Sequence, residues 1–450
     1  MKKTLSIALA AAVAPAALLP AALPVPVAPL AMAQTPDDAI SVTSAPDAGD
    51  GAAYGTGADA QAEATSEDEP HYPDPREEAP NTDKCPNATV PPEAVSTSER
   101  IAPGATSPAP LPVEYDGPCG VIAPDGFKVS DKVLATSWLV ADIDTGDVIA
   151  MKDPHGRYRP ASIIKVLLAL VVIDELPLDK VVTVNEESAG QEGSAVGLGA
   201  GGQYSIDDLL HGLLMVSGND AAHALAQVLG GDEVALRKVN EKAAELGMND
   251  TRAASYSGLD APGMSTSAWD MGIAYTHAYQ NPVFAQIVST EMYPFPGYTG
   301  VDGEEMPGFD VYNDNKLYLN DPDGIGGKTG YTDDAKHTFV GALDRDGRRL
   351  MAVVLDTTVD RGRAWEQSQD LIHEGYKFTS KDAVASLIDA TANPSNTGSP
   401  VTDSPGADRE NAEDGALPWE GIAVFVGVLA LASLGTWLSL ASAKKRRQRR

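Results

Sequence analysis

Apolar and polar residues alternate strand-like over 138–144 and 148–151, on either side of Asp144-Thr-Gly-Asp147, which predicts a β-hairpin. Residues 162–176 are instead apolar on nearly every face, the pattern of a helix sunk in a core. Helical periodicity runs on from about 206 to 289, with stops at Gly230-Gly231 and Gly247. Strand patterns return over 324–331, 337–343 and 349–355, the last two joined by Asp346-Gly347, and an amphipathic stretch over 365–376 closes the series. Strands, then helices, then strands predict an α+β domain whose helical insert packs on an antiparallel sheet.

Two more apolar segments lie outside this domain. Lys2 and Lys3 precede an Ala/Leu/Val/Pro run ending in Ala31-Met32-Ala33, the signature of a cleaved secretory signal peptide over 1–33. Near the other end, residues 422–443 carry no charge and are long enough to span a bilayer, with Trp419 and Trp437 suited to its interfaces. Lys444, Lys445, Arg446, Arg447, Arg449 and Arg450 follow, so the positive-inside bias makes 444–450 a cytoplasmic tail behind a single-pass anchor at 418–443. The expected location is the plasma membrane, with the body of the chain on its extracellular face.

Much of the formal charge of -31 sits in Ala/Asp/Glu/Pro/Ser/Thr-rich stretches at about 34–100 and 381–417. These bury too little apolar surface to offset chain entropy and are expected to be disordered spacers, the first merging into an N-terminal extension that ends near 126. The domain itself is then expected over 127–380. The acidic balance excludes nucleic acid as a natural partner. Outside the membrane the two cysteines, Cys85 and Cys119, read as a disulfide. None of the seven histidines falls in a metal-ligand spacing such as His-Glu-x-x-His, and no metal or cofactor is expected. His337 reads most simply as a half-buried sheet residue.

Three short motifs carry chemistry. In Ser162-Ile163-Ile164-Lys165, after Pro160-Ala161, a spacing of three puts hydroxyl and amine on one helical face. A serine needs a base to take its proton, and burial among Ile163, Val166 and Leu167 would make Lys165 that base by favouring its neutral form. In Ser217-Gly218-Asn219, between two helices, Ser217 can relay a proton to a leaving amine and Asn219 can meet a substrate backbone. In Lys328-Thr329-Gly330, on a glycine-flanked strand, Thr329 can bond a substrate carboxylate and Lys328 adds positive charge that also disfavours the charged form of Lys165. Taken singly, Ser162 could be a helix N-cap and Ser217-Gly218-Asn219 a capped turn; in this order on helix, loop and strand they are specific.

With these motifs the chain resembles the low-molecular-mass penicillin-binding proteins, the serine D-Ala-D-Ala carboxypeptidases. The likeness runs from about Trp138 to Tyr376, through Leu209-Leu-His-Gly-Leu-Leu-Met-Val-Ser-Gly-Asn-Asp-Ala-Ala222, Ser257-Gly-Leu-Asp260 and Gly327-Lys-Thr-Gly-Tyr-Thr-Asp-Asp334. It implies the DD-peptidase/β-lactamase-like fold. Ser162 becomes the acylated nucleophile, Lys165 its base, Ser217 and Asn219 aids to proton transfer and substrate positioning, and Lys328 and Thr329 substrate binders. The amides of Ser162 and Tyr331 would form the oxyanion hole, and Arg363 would help hold the substrate's terminal carboxylate. Peptidoglycan stem peptides are the implied substrate and β-lactams the implied inhibitors. The acidic linker and transmembrane segment depart from the β-rich domain and amphipathic anchor of many members.

Other readings share these motifs: a D,D-endopeptidase, a β-lactamase, or a non-catalytic penicillin- or wall-binding protein. A β-lactamase of this type needs a carboxylate in a Glu-x-x-x-Asn loop. Glu245-Leu-Gly-Met-Asn249 fits that string, but its setting predicts a helix C-terminus.

Overall fold

The structure, a computed structural model, describes residues 75–101, 104 and 106–388. The expected signal peptide, the stretch up to 74, the linker beyond 388, the anchor and the basic tail lie outside the described residues. Among the described residues no helix is long and apolar enough to cross a membrane.

A short strand, β1 (Val121–Ile122), precedes the hairpin β2 (Ser137–Asp142) and β3 (Asp147–Lys152). Asp142 Oδ1 accepts the amides of Asp144 and Thr145 at 3.0 and 3.1 Å, and Gly146 takes φ +73°, so the Asp-Thr-Gly-Asp turn forms as expected. The buried helix α1 (Lys165–Glu175) opens an excursion through β4 (Val181–Thr183), α2 (Glu186–Ala189), β5 (Gln203–Ser205), α3 (Ile206–Met215), α4 (Asn219–Val228), α5 (Asp232–Glu245), α6 (Ala268–Gln280) and α7 (Pro282–Val288). Small hairpins follow, built from β6 (Met292–Phe295), β7 (Tyr298–Thr299), β8 (Glu305–Met306) and β9 (Phe309–Tyr312). The chain then returns through α8 (Lys316–Asn320) to β10 (Gly324–Thr332), β11 (Lys336–Arg345) and β12 (Arg348–Thr357), and ends with α9 (Ala364–Gly375) and β13 (Ala385–Ser386). Asp346 and Gly347 both adopt positive φ, which a two-residue hairpin turn between β11 and β12 requires.

The main sheet is antiparallel throughout, in the order β1-β3-β2-β12-β11-β10, with β13 also pairing β3. Its central strands are buried on both faces. Trp138 and Val140 of β2 and Ala352 and Val354 of β12 pack with Leu371 and Ile372 of α9. Leu139, Ala141, Met351, Val353 and Leu355 point the other way, into the larger core with α1 and α6. Period-two alternation thus serves two apolar layers at once. The result is the expected α+β architecture, with β10 at the sheet edge beside the turn that leads into α1.

Three boundaries differ from the sequence reading. The helix expected from Ser162 starts at Lys165, because Ala161–Ile164 form a 3-10 turn entered through Ala161 at φ +49°. Thr338 Oγ1 fixes that entry by donating to Pro160 O at 2.7 Å. The N-terminal extension, expected as a disordered spacer to about residue 100, lies on the domain from residue 76 onward. Arg76 donates to Leu134 O at 2.9 Å and to Asp356 O at 2.7 Å, and Cys85 and Cys119 form the expected disulfide. Low-complexity composition measures the apolar burial a segment can supply, and these contacts are polar instead. At the other end β13 and Leu387, which is buried in the main core, fall within the linker expected from 381, so the domain runs further than the composition indicated.

Candidate active site

Ser162 sits in the 3-10 turn with its side chain partly accessible, and its hydroxyl serves as no helix cap. One turn on, Lys165 is fully buried. Lys165 Nζ lies 2.9 Å from Ser162 Oγ, 2.7 Å from Asn219 Oδ1 and 2.5 Å from Ser257 O. The last two are carbonyl oxygens that can only accept. A neutral amine has two N–H bonds and one lone pair, so it can donate to both carbonyls and turn its lone pair on the serine hydroxyl. Burial drives the Lys165 ammonium well below its usual range, the Lys328 charge pushes the same way, and Asp220 and Asp314 oppose them. Burial and the second lysine thus both favour the neutral form of Lys165 that a base would need.

Between α3 and α4 the chain turns through Ser217, at φ +65°, and Gly218. Ser217 is buried, and among the described residues its hydroxyl has no protein partner. Asn219, read as able to meet a substrate backbone, already has two protein partners. Its Oδ1 is taken by Lys165, and its Nδ2 donates to Glu192 O at 2.7 Å. Asp220, which no motif singled out, accepts the amides of Val196, Gly197 and Leu198 at 2.8–3.0 Å and so ties the loop before β5 to this turn.

β10 forms the opposite wall. Lys328 is fully buried, and Nζ donates to Thr329 O at 2.9 Å; burial lowers its pKa while Asp314 acts against that. Thr329 Oγ1 donates to Asp314 Oδ2 at 2.9 Å, a partner no sequence signal indicated. Gly330 lets the strand approach Ser162. A Cβ there would stand 2.3 Å from Thr338 Oγ1 and 3.0 Å from Ser162 N, too close for any side chain. Tyr331 follows, largely exposed, its hydroxyl donating to Asp333 at 3.2 Å and its ring 4.7 Å from that of His337. Thr329, Gly330, His337, Arg363 and Trp365 line a cavity of about 600 Å³ beside the strand. The structure thus brings Ser162, Lys165 and Asn219 into direct contact, sets Gly330 against Ser162, and puts Arg363 on the same cavity as Thr329.

Glu245 does not join the site. It ends α5, two-thirds exposed, and pairs with Lys242 at 2.7 Å, as a helix C-terminus should.

Residues 126–359, more than half of the chain, match peptidase family S11, D-alanyl-D-alanine carboxypeptidase. The chain belongs to this family. A D-alanyl-D-alanine carboxypeptidase of Mycobacterium tuberculosis, DacB2, is 43% identical over 257 residues, covering 56% of this chain and 86% of that protein. The D-alanyl-D-alanine carboxypeptidase DacF of Bacillus subtilis is 29% identical over 246 residues, 53% of this chain. There the match spans 62% of the relative, less than two-thirds of its length. The crystal structure of a Mycobacterium tuberculosis D-alanyl-D-alanine carboxypeptidase is similar at a TM-score of 0.55 and 41% identity, over 59% of this chain and 99% of that one. Membership in the S11 family agrees with the three motifs and with the antiparallel sheet flanked by helices.

Proposed function

We propose that this chain removes the terminal D-alanine from peptidoglycan stem pentapeptides through an acyl-enzyme on Ser162. The observation that carries the reading is the buried amine of Lys165, 2.9 Å from Ser162 Oγ, with carbonyl oxygens as its other two partners. Ser162 Oγ attacks the penultimate D-alanine carbonyl while Lys165 takes the hydroxyl proton. Negative charge on the carbonyl oxygen is met by the amides of Ser162 and Tyr331. The C–N bond then breaks, and the amine of the last D-alanine leaves with a proton relayed through Ser217. Water attacks the ester, Lys165 accepts its proton, and Ser162 is released protonated with the shortened peptide.

Lys328, Thr329 and Arg363 hold the terminal carboxylate in this reading. Asn219 orients Lys165 and keeps its second amide hydrogen for the substrate backbone. β-Lactams, which present a reactive carbonyl beside a carboxylate, acylate the same serine. The ends of the sequence support export by a signal peptide at 1–33, and a single span at 418–443 with the tail 444–450 in the cytoplasm, which would hold the domain on the extracellular face of the plasma membrane.

The test is the full chain with a labelled penicillin and a D-Ala-D-Ala pentapeptide, beside Ser162→Ala. Stable label and released D-alanine, both lost in the variant, are the expected result. Rapid loss of label with hydrolysed drug would turn the reading to a β-lactamase. No label on the folded wild type would remove Ser162 as nucleophile.

A further inference from the structure

The two amides assigned to the oxyanion hole come from separate pieces of chain. Ser162 N belongs to the 3-10 turn that follows Arg159-Pro160, and Tyr331 N to the end of β10, just before the turn containing Asp334. A hydrogen-bond hole works only when its donors are already placed where charge will develop. What fixes the spacing between the two pieces therefore bears on rate.

Five residues of the N-terminal extension grip both pieces. On one side Val95 N, Ser96 N, Ser96 Oγ and Ser98 Oγ all donate to the Asp334 carboxylate, at 2.7, 2.8, 2.7 and 2.5 Å. On the other side Glu99 pairs with Arg159 at 2.7 Å, and Arg159 also donates to Pro92 O at 2.7 Å. Arg159 is almost wholly buried, so its position passes directly to Pro160 and the serine turn. The base of the extension is anchored separately. Cys85 and Cys119 are joined, Asp153 N donates to Cys119 O at 3.1 Å, and Arg157 N donates to Asn87 O at 2.7 Å.

We propose that residues 95–99 are a clasp that sets the spacing of Ser162 N and Tyr331 N, with Glu99, Arg159 and Asp334 as positioning residues. This rests on the reading of Ser162 as the acylated nucleophile. The clasp touches no reacting atom; it holds the serine turn and the β10–β11 turn at a fixed separation. Thr338 Oγ1 to Pro160 O is a direct tie between the same two regions, so loosening the clasp weakens the hole without abolishing it.

The full chain is compared with Asp334→Ala, Asp334→Asn and the double variant Ser96→Ala/Ser98→Ala, reading kcat and KM on a D-Ala-D-Ala pentapeptide, the rate of labelling by penicillin, and Tm. A misplaced oxyanion donor acts on the transition state alone, so the loss belongs in kcat. Asp334→Ala is expected to lower kcat and the labelling rate about 10-fold, with KM within about 2-fold. Asp334→Asn keeps an acceptor for the two amides and is expected to recover most of that loss. The double variant removes two side-chain donors and costs roughly 3-fold; it also decides the matter should Asp334→Ala fail to fold. Variants that match the wild type in kcat and labelling overturn the clasp, as does a loss confined to KM or Tm. A wild type that penicillin does not label removes the nucleophile assignment and the clasp with it; a labelled wild type with indifferent variants removes the clasp alone.

Discussion

Thr329 gives its hydroxyl to Asp314 across 2.9 Å, so the group expected to receive the substrate's carboxylate already holds a carboxylate of the protein. Among the described residues the other Asp314 oxygen is buried without a hydrogen-bond partner. Its negative charge raises the pKa of both Lys165 and Lys328, against the larger effect of burial. A substrate carboxylate arriving at Thr329 must therefore draw the hydroxyl away from Asp314 or share it.

Asp314→Asn keeps the shape and removes the charge. Lys165 acts as a base only when neutral, so a lower pKa lets it act at lower pH. Labelling by penicillin, followed from about pH 4 to about pH 9, should show its acid limb moved to lower pH. An acid limb that stays in place would separate Asp314 electrostatically from the catalytic amine.

Lys328→Gln has the opposite sign. Burial is the largest cause of the depressed Lys165 pKa, and the Lys328 charge is the second. Removing that charge raises the Lys165 pKa, moves the acid limb to higher pH, and withdraws a cation from the carboxylate site. At neutral pH the labelling rate should fall about 10-fold or more, with part of the loss recovered at alkaline pH. A pH-independent loss would confine Lys328 to substrate binding.

The motifs and the order of elements were legible in the sequence because each is local. Ser162 and Lys165 are three residues apart, Asp346-Gly347 is a turn by its own chemistry, and the alternation of β2 and β12 follows from two apolar layers. What pairs across the fold was not. Asp314 meets Thr329 fifteen residues on, Ser257 meets Lys165 from 92 residues away, and Val95 meets Asp334 across 239. No periodicity marks such partners. Ser257 was visible only inside a stretch of family resemblance, and Asp314, in Asn313-Asp-Asn315, carried no signal. The extension misled for a related reason: its grip on the domain is built from backbone groups and single charges, which composition averages away.

Arg363 is exposed at the start of α9, beside the cavity it shares with Thr329 and His337. Burial holds His337 below the usual imidazole range, and the Arg363 charge adds to that. Arg363→Ala should raise KM for the pentapeptide about 5- to 10-fold, as expected for a charge-assisted contact made equally in ground and transition state. The His337 titration, followed by NMR, should move upward in the same variant. A KM unchanged with His337 shifted would place Arg363 beside the cavity but off the substrate.

Two glycines with positive φ separate backbone strain from site geometry. Gly247, at φ +75°, has nothing among the described residues within 4 Å of the position a Cβ would take. Gly258, at φ +89°, would place that atom 2.1 Å from Ala161 O and 2.9 Å from Ser162 N. Both Gly→Ala changes force an unfavourable backbone conformation, worth roughly 1–2 kcal/mol. For Gly247→Ala that is the whole effect, so Tm should fall by about 2–8 °C and penicillin labelling should stay at the wild-type rate. For Gly258→Ala the added methyl also has to displace backbone, and the backbone it meets carries the nucleophile. Labelling should then fall by about 100-fold or more, out of proportion to the change in Tm. Equal labelling in the two variants would mean that the serine turn can shift without cost, which the close packing of Gly258 and Gly330 on either side of it argues against.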